Sequence, residues 1–292
     1  MSPAGGSLFD RIGRVDRRWI YVAIALAVII PLMAKLTFPV ITTPIVQNIF
    51  DKLDSLPEGS RVILTADFGP STVPENMPMI QAVLRHALHK KLKVYLLTLW
   101  ATGIPQLDLL EKNVLAADFP DRVAGTDWVN LGYKAGNQGV INSAFSDFPG
   151  AFPVDSKGHD VRTLPIMAGI KRLADFNLIV GIGSGFPGVK EWIQFGGDPA
   201  HVPVAAGVTA VEAPLLYPYY PRQLLGLMGG LQGAAEYEAA LVKRYPEYQS
   251  RSEEAIKRMG PQTVAHLVII AFIVLGNIAF FAGGEFKGRK RA

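Results

Sequence analysis

Two apolar runs, one near each end of the chain, constrain everything else this sequence can do. Residues 19–34 (WIYVAIALAVIIPLMA) carry no charge, and apolar character resumes after Lys35 through residue 41. Residues 264–283 (VAHLVIIAFIVLGNIAFFAG) hold only His266 and Asn277 as strongly polar side chains. A helix crosses a bilayer core with about 20 apolar residues, so the sequence predicts transmembrane helices over residues 19–41 and 263–284. Trp19 and Tyr21 suit the interfacial belt, Pro31 is tolerable in a membrane helix, and Lys35 can extend its ammonium to the interface. A cleaved signal peptide is the competing reading of the first run. Its length and the lack of a clear A-x-A site favour a span. Composition agrees: 49% of residues are hydrophobic and 18% charged, against about 25% charged in average globular usage.

Charge sets the expected orientation. Residues 1–18 contain Arg11, Arg14, Arg17 and Arg18 against Asp10 and Asp16, and residues 285–292 contain Lys287, Arg289, Lys290 and Arg291 against Glu285. The remainder is nearly neutral, so the pI of about 9.2 belongs to the tails. The positive-inside rule places both basic tails (1–18 and 285–292) in the cytoplasm and residues 42–262 outside it, although Lys243, Arg244, Arg251, Lys257 and Arg258 also flank the second run. The bases are read as lipid-facing tails rather than a nucleic-acid surface. Cysteine is absent, which excludes disulfides, thiolate metal sites and cysteine nucleophiles.

Between the spans, apolar strand-like runs at residues 61–68, 92–100, 127–133, 177–183 and 202–211 alternate with helical patterns at 79–91, 106–117, 164–176 and from 188, and a long helix is expected over 221–245. Near-continuous apolar strands separated by helices imply a sheet covered on both faces. The expected fold is a doubly wound, Rossmann-like, three-layer α/β domain with a mostly parallel sheet. Residues 145–163 form the one long irregular stretch, suited to a lid or a partner surface.

Ligands of such sheets bind beyond the strand carboxyl ends. The polar residues there are Asp67, Ser71, Thr72, Glu75 and Asn76; Thr98, Trp100 and Thr102; Tyr133, Lys134, Asn137 and Gln138; and Ser184. Gly183, Gly185 and Gly188 satisfy G-x-G-x-x-G between a strand and a helix, a pattern that brings backbone N–H groups close to a phosphate. The motif follows the fourth strand rather than the first, and the next strand contains no acid, so a tight turn is the leading interpretation. Asp67, Ser71, Thr102, Gly183, Ser184, Gly185 and Gly188 form the expected ligand-binding set, with no cofactor assigned.

No catalytic constellation is legible. His86 and His89 lie three apart but beside Arg85, Lys90 and Lys91, which favours a solvated helix face over a metal site. His159 and Asp160 have no serine elbow to serve, and Ser143 and Ser184 have no activating context. Gly226, Gly230 and Gly233 would form a smooth ridge on the long helix, packed tightly on the domain's own sheet or, with Asn277, serving as a subunit interface. Asn277 would need a partner within the bilayer or satisfy itself on its own helix, and Tyr217, Tyr219 and Tyr220 could supply an aromatic contact surface. These features suggest a membrane-anchored, non-catalytic scaffold or accessory subunit that touches the bilayer and assembles with itself or with other membrane proteins. The alternatives are a membrane-anchored ligand sensor or hydrolase-like enzyme, and a cytoplasmic nucleotide-binding domain of reversed topology.

Overall fold

The computed structural model describes residues 16–282, so Arg11, Arg14 and the basic residues 287–291 of the expected cytoplasmic tails lie outside the described residues. Residues 39–256 form one compact unit, and the described parts of 1–38 and 257–292 belong to a second.

In the larger unit, helix α2 (Pro44–Ser55) precedes six strands: β1 (Arg61–Asp67), β2 (Lys93–Thr98), β3 (Trp128–Tyr133), β4 (Leu178–Gly183), β5 (Val204–Val208) and β6 (Gly226–Gly229). They form one sheet in the order β3-β2-β1-β4-β5-β6, and every neighbouring pair is parallel. Parallel neighbours need crossovers. These are α3 (Val73–His89); α4 (Ile104–Leu110) with a π-helical continuation over Glu111–Ala116; α5 (Gln138–Ser146) with α6 (Phe148–Ala151); α7 (Val189–Glu191) and α8 (Asp198–Ala200) flanking π-helical Trp192–Gly197; and α9 (Ala213–Leu216). Helix α10 (Gly230–Arg244) follows the last strand.

The core follows from the two-residue strand period. Ile63, Tyr95, Val129 and Ile179 point to the face covered by Phe148, Trp192 and Ile193. Val62, Leu64, Val94 and Val180 alternate with them and are also buried, on the face where α2, α3 and α10 pack. Each fully buried branched side chain contributes about 2 kcal/mol. Helix α3 is buried through nearly its whole length, including Arg85 and His86. Arg85 survives burial through its ion pair with Asp118 at 2.7 Å. His86 is stacked on Phe50, with ring centroids 4.4 Å apart, and bonds the Tyr237 hydroxyl at 2.8 Å. The sequence expectation of a solvated face for His86 is therefore corrected, because α10 and α2 cover that side of α3.

Two expected helices differ, each for a physical reason. Residues 164–176 form 3₁₀ turns at Pro165–Met167 and Leu173–Asp175. Arg61 takes the carbonyls of Ala168 (2.9 Å) and Asp175 (3.2 Å), while the Asp175 carboxylate takes the N–H groups of Lys171 and Arg172. These bonds replace the helical ladder. The expected helix 221–245 is instead strand β6 followed by α10, so Gly226, Gly230 and Gly233 do not form one helical ridge. Gly226 lies in β6, where a Cβ would sit 2.3 Å from the Ile45 carbonyl of α2. Gly230 has φ +60° at the strand-to-helix junction, and Gly233 packs on Met228.

In the smaller unit, α1 (Arg17–Met33) has 17 residues, about 25 Å of helix. It stops earlier than the expected span 19–41: Lys35 adopts φ +51°, and residues 36–41 are not helical. Within this unit the Leu36 carbonyl passes so close to Gly260 that a Cβ there would lie 1.8 Å away. The final helix α11 (Glu254–Ala282) has 29 residues and starts earlier than the expected 263. Among the described residues, the segment Glu254–Phe281 of α11 is the one helix long and apolar enough to cross a membrane. Leu267, Ile270, Ile273 and Phe281 are each more than half exposed along it. Asn277 donates to the Ile273 carbonyl of its own helix at 2.9 Å.

Candidate ligand crevice at the sheet switch point

The chain leaves β1 toward one side of the sheet and β4 toward the other, so the carboxyl ends of β1 and β4 form the crevice where doubly wound sheets bind ligands. Asp67 ends β1 and pairs in register with Gly183 at the end of β4. Its carboxylate is fully buried, accepting from the Leu99 N–H at 2.6 Å and the Trp192 indole N–H at 3.0 Å. Burial raises its pKa to about 6, against the lowering effect of those donors. The Ser184 N–H donates to the Asp67 carbonyl at 3.2 Å, and the Thr72 hydroxyl lies 3.1 Å from that of Ser184. Thr102 reaches the same place from β2: a Cβ on Gly69 would stand 3.1 Å from its hydroxyl oxygen.

The sheet therefore brings Asp67, Thr102, Gly183, Ser184, Gly185 and Gly188 to one end of adjacent strands. Ser71 lies nearby on an exposed 3₁₀ turn, and its hydroxyl has no hydrogen-bond partner among the described residues.

The glycine loop is turned in on itself. The Gly188 N–H donates to the Glu191 carboxylate at 2.7 Å, so the chain's own acid takes a donor that a phosphate would use. Gly185 has φ +156°, and the Trp100 ring lies 3.4 Å from where its Cβ would be. The Trp100 indole N–H donates to the Pro187 carbonyl at 2.6 Å, fixing the ring over the loop.

The surrounding charge is acidic. Glu75 in the first turn of α3 accepts from the Ala210 N–H at 2.9 Å. Glu212, just past β5, is pushed up to about 7 by burial and by the neighbouring Glu191 charge, and one of its oxygens is buried without a partner. Asn76 donates to the Gly183 carbonyl at 2.8 Å, while its own side-chain oxygen is buried and unpartnered. The acids and buried acceptors around these strand ends oppose a phosphate.

Sequence reasoning missed Glu191 and Trp192. The first carried a signal, since a Glu three residues after Gly188 matches the reach of an acid back to a helix-start N–H. Trp192 carried none, because only the fold brings its indole to Asp67. Among the described residues, no group of three or more His, Asp or Glu side chains is placed to hold a metal ion.

Fold and crevice together define a Rossmann-like, all-parallel α/β protein whose C-terminal helix is long and apolar enough to cross a membrane. Comparison with protein-family models, with curated proteins and with solved structures gives no match for this chain.

Proposed function

We propose that this chain is a non-catalytic accessory subunit of a membrane-associated assembly, held to the bilayer by α11 and, in a two-pass arrangement, by α1 as well. The observation that carries this reading is the self-occupied crevice: Glu191 fills the loop's anion position, Trp100 covers Gly185, and Thr72 pairs with Ser184. In this reading the basic tails are cytoplasmic, residues 42–262 are extracytoplasmic, and partners are other membrane proteins or further copies of the chain. Purification in mild detergent, followed by mass measurement and cross-linking, tests it; a partner-free monomer at every concentration would remove it.

A membrane-anchored ligand sensor is the second reading, favoured by the unpartnered oxygens of Asn76 and Glu212. Thermal shifts with cationic and polyol compounds, lost in Gly185→Val, would support it. Nucleotide binding is the least favoured, because the acids around the crevice repel phosphate and the Gly188 N–H is already taken.

A further inference from the structure

A second cleft, of about 600 Å³, opens at the outer edge of the sheet beside β3, a volume typical of small-molecule sites. Three irregularities shape it. Helix α4 becomes π-helical at Glu111, a distortion that often marks functional positions. The β2–β3 register shifts between Leu96 and Thr98, and Gly132 in β3 takes φ +67°. The loop beyond Pro153 folds over the edge, its Ser156 N–H donating to the Asn130 carbonyl at 2.8 Å.

A half-buried polar pair lines the cleft: the Asn130 amide donates to Glu111 at 2.6 Å and accepts from the Gly132 N–H at 2.8 Å. Asp155 is used up in holding the loop, accepting from the N–H groups of Lys157 and His159 and contacting the His159 ring. Other charges on the lining remain unused. Asp108 of α4, Lys134 just after β3 and Lys157 of the loop line the cleft without an ion-pair partner among the described residues. Glu111 keeps one carboxylate oxygen free of protein donors. Ile104 and Val154, both more than two-fifths exposed, add apolar surface to the same lining.

We infer that this edge cleft binds a small zwitterion of the α-amino acid class, its ammonium toward Asp108 and Glu111, its carboxylate toward Lys134 and Lys157, and an apolar side chain against Ile104 and Val154. Opposite unpaired charges on one lining match a ligand carrying both charges better than one carrying either alone. Asn130 and Glu111 hold each other in place before the ligand arrives, which lowers the ordering cost of binding. This inference is independent of the accessory-subunit reading: a partner-free monomer that binds the zwitterion removes that reading and keeps this one.

The test is calorimetric titration of the full chain in detergent with L-leucine, N-acetyl-L-leucine, L-leucinamide and the dipeptide Leu-Leu, preceded by a thermal-shift screen of the twenty protein amino acids. Saturable binding of leucine or another apolar amino acid is expected, weakened about tenfold or more when either terminal charge is blocked. Lys134→Ala and Asp108→Asn should weaken it similarly while leaving the ligand-free melting temperature unchanged. Tighter binding of Leu-Leu would assign the same chemistry to peptide termini. Equal binding of the blocked derivatives, or no binding of any amino acid or of Leu-Leu at millimolar concentration, would overturn the inference.

Discussion

Glu236 and Glu238 stand two positions apart on α10 and hold two different segments of chain. Glu236 accepts from the Thr43 N–H at 2.9 Å, just ahead of α2, and its carbonyl accepts from the Thr42 hydroxyl at 3.0 Å. Glu238 accepts from the N–H groups of Ala255 and Ile256 at 3.2 and 3.0 Å, the first turn of α11. Side chains two apart project about 200° from each other around a helix, so the two segments approach α10 from opposite sides. Both glutamates are nearly fully buried.

Glu238 should make stability depend on pH. Burial raises its pKa from 4.5 to about 7, against the lowering effect of the two backbone donors. The folded chain thus takes up a proton that the unfolded chain does not hold. The stabilising contribution is full below about pH 4.5 and is lost as pH rises through about 7. Glu238→Gln should flatten the urea-unfolding profile over that window by about 3 kcal/mol. The slope is diagnostic, since losing one backbone acceptor also costs about 1 kcal/mol at any pH. An unchanged slope would show that Glu238 is not protonated on folding.

His86 works in the opposite direction. Burial outweighs the nearby Asp54 carboxylate and lowers the imidazole to about 4, so the folded state holds it neutral while the unfolded chain protonates near pH 6.5. Its contribution is present above about pH 6.5 and disappears as pH falls through about 4. His86→Phe keeps the stack on Phe50 but leaves the Tyr237 hydroxyl without its partner at a cost of about 1–3 kcal/mol. In that variant the acid-side loss of stability should shrink, as read from unfolding midpoints at pH 5 and pH 7.

Trp100 should control the glycine loop. Trp100→Ala removes both the ring over Gly185 and the bond to the Pro187 carbonyl, and should cost about 2 kcal/mol. Amide exchange in residues 183–188 should accelerate while β1 and β4 stay protected. Gly185→Val should be at least as destabilising, because its φ of +156° disfavours a side chain that would also meet Trp100. Unaltered exchange in Trp100→Ala would mean that the loop holds its shape without the ring.

The orientation is open to direct labelling. The chain has no cysteine and Ser156 is exposed, so Ser156→Cys gives a single reporter on the larger unit. Membrane-impermeant maleimide should label it in intact cells under the proposed two-pass topology. Labelling only after lysis would reverse the orientation.

Much of this architecture was legible because strands buried on both faces announce themselves as apolar runs. The runs around β1, β2, β3, β4 and β5 stand at the structure's own positions to within a few residues. β6 was not legible, because GLMGG between Leu225 and Leu231 has too short an apolar run and too much glycine to read as a strand. Only the passage of α2 over Gly226 explains that glycine. The turns of 164–176 were hidden for a related reason, since Arg61, more than a hundred positions away, takes the carbonyls a helix would use. In the crevice the polar residues after each strand were readable, but their mutual satisfaction was not. Whether Glu191 and Trp100 leave a site open or fill it is decided by angles and distances that spacing alone does not carry.

The close seating of α2 on β6 also bears on how the chain is made. The first helix of the larger unit rests on its last strand, Ile45 against Gly226, so this layer is completed only after nearly the whole unit has been synthesised. Such sequence-distant pairings are slow to form and leave apolar surface uncovered meanwhile. The final apolar helix leaves the ribosome directly afterwards, so under the proposed anchoring the domain folds and its anchor meets the membrane in the same short interval of synthesis.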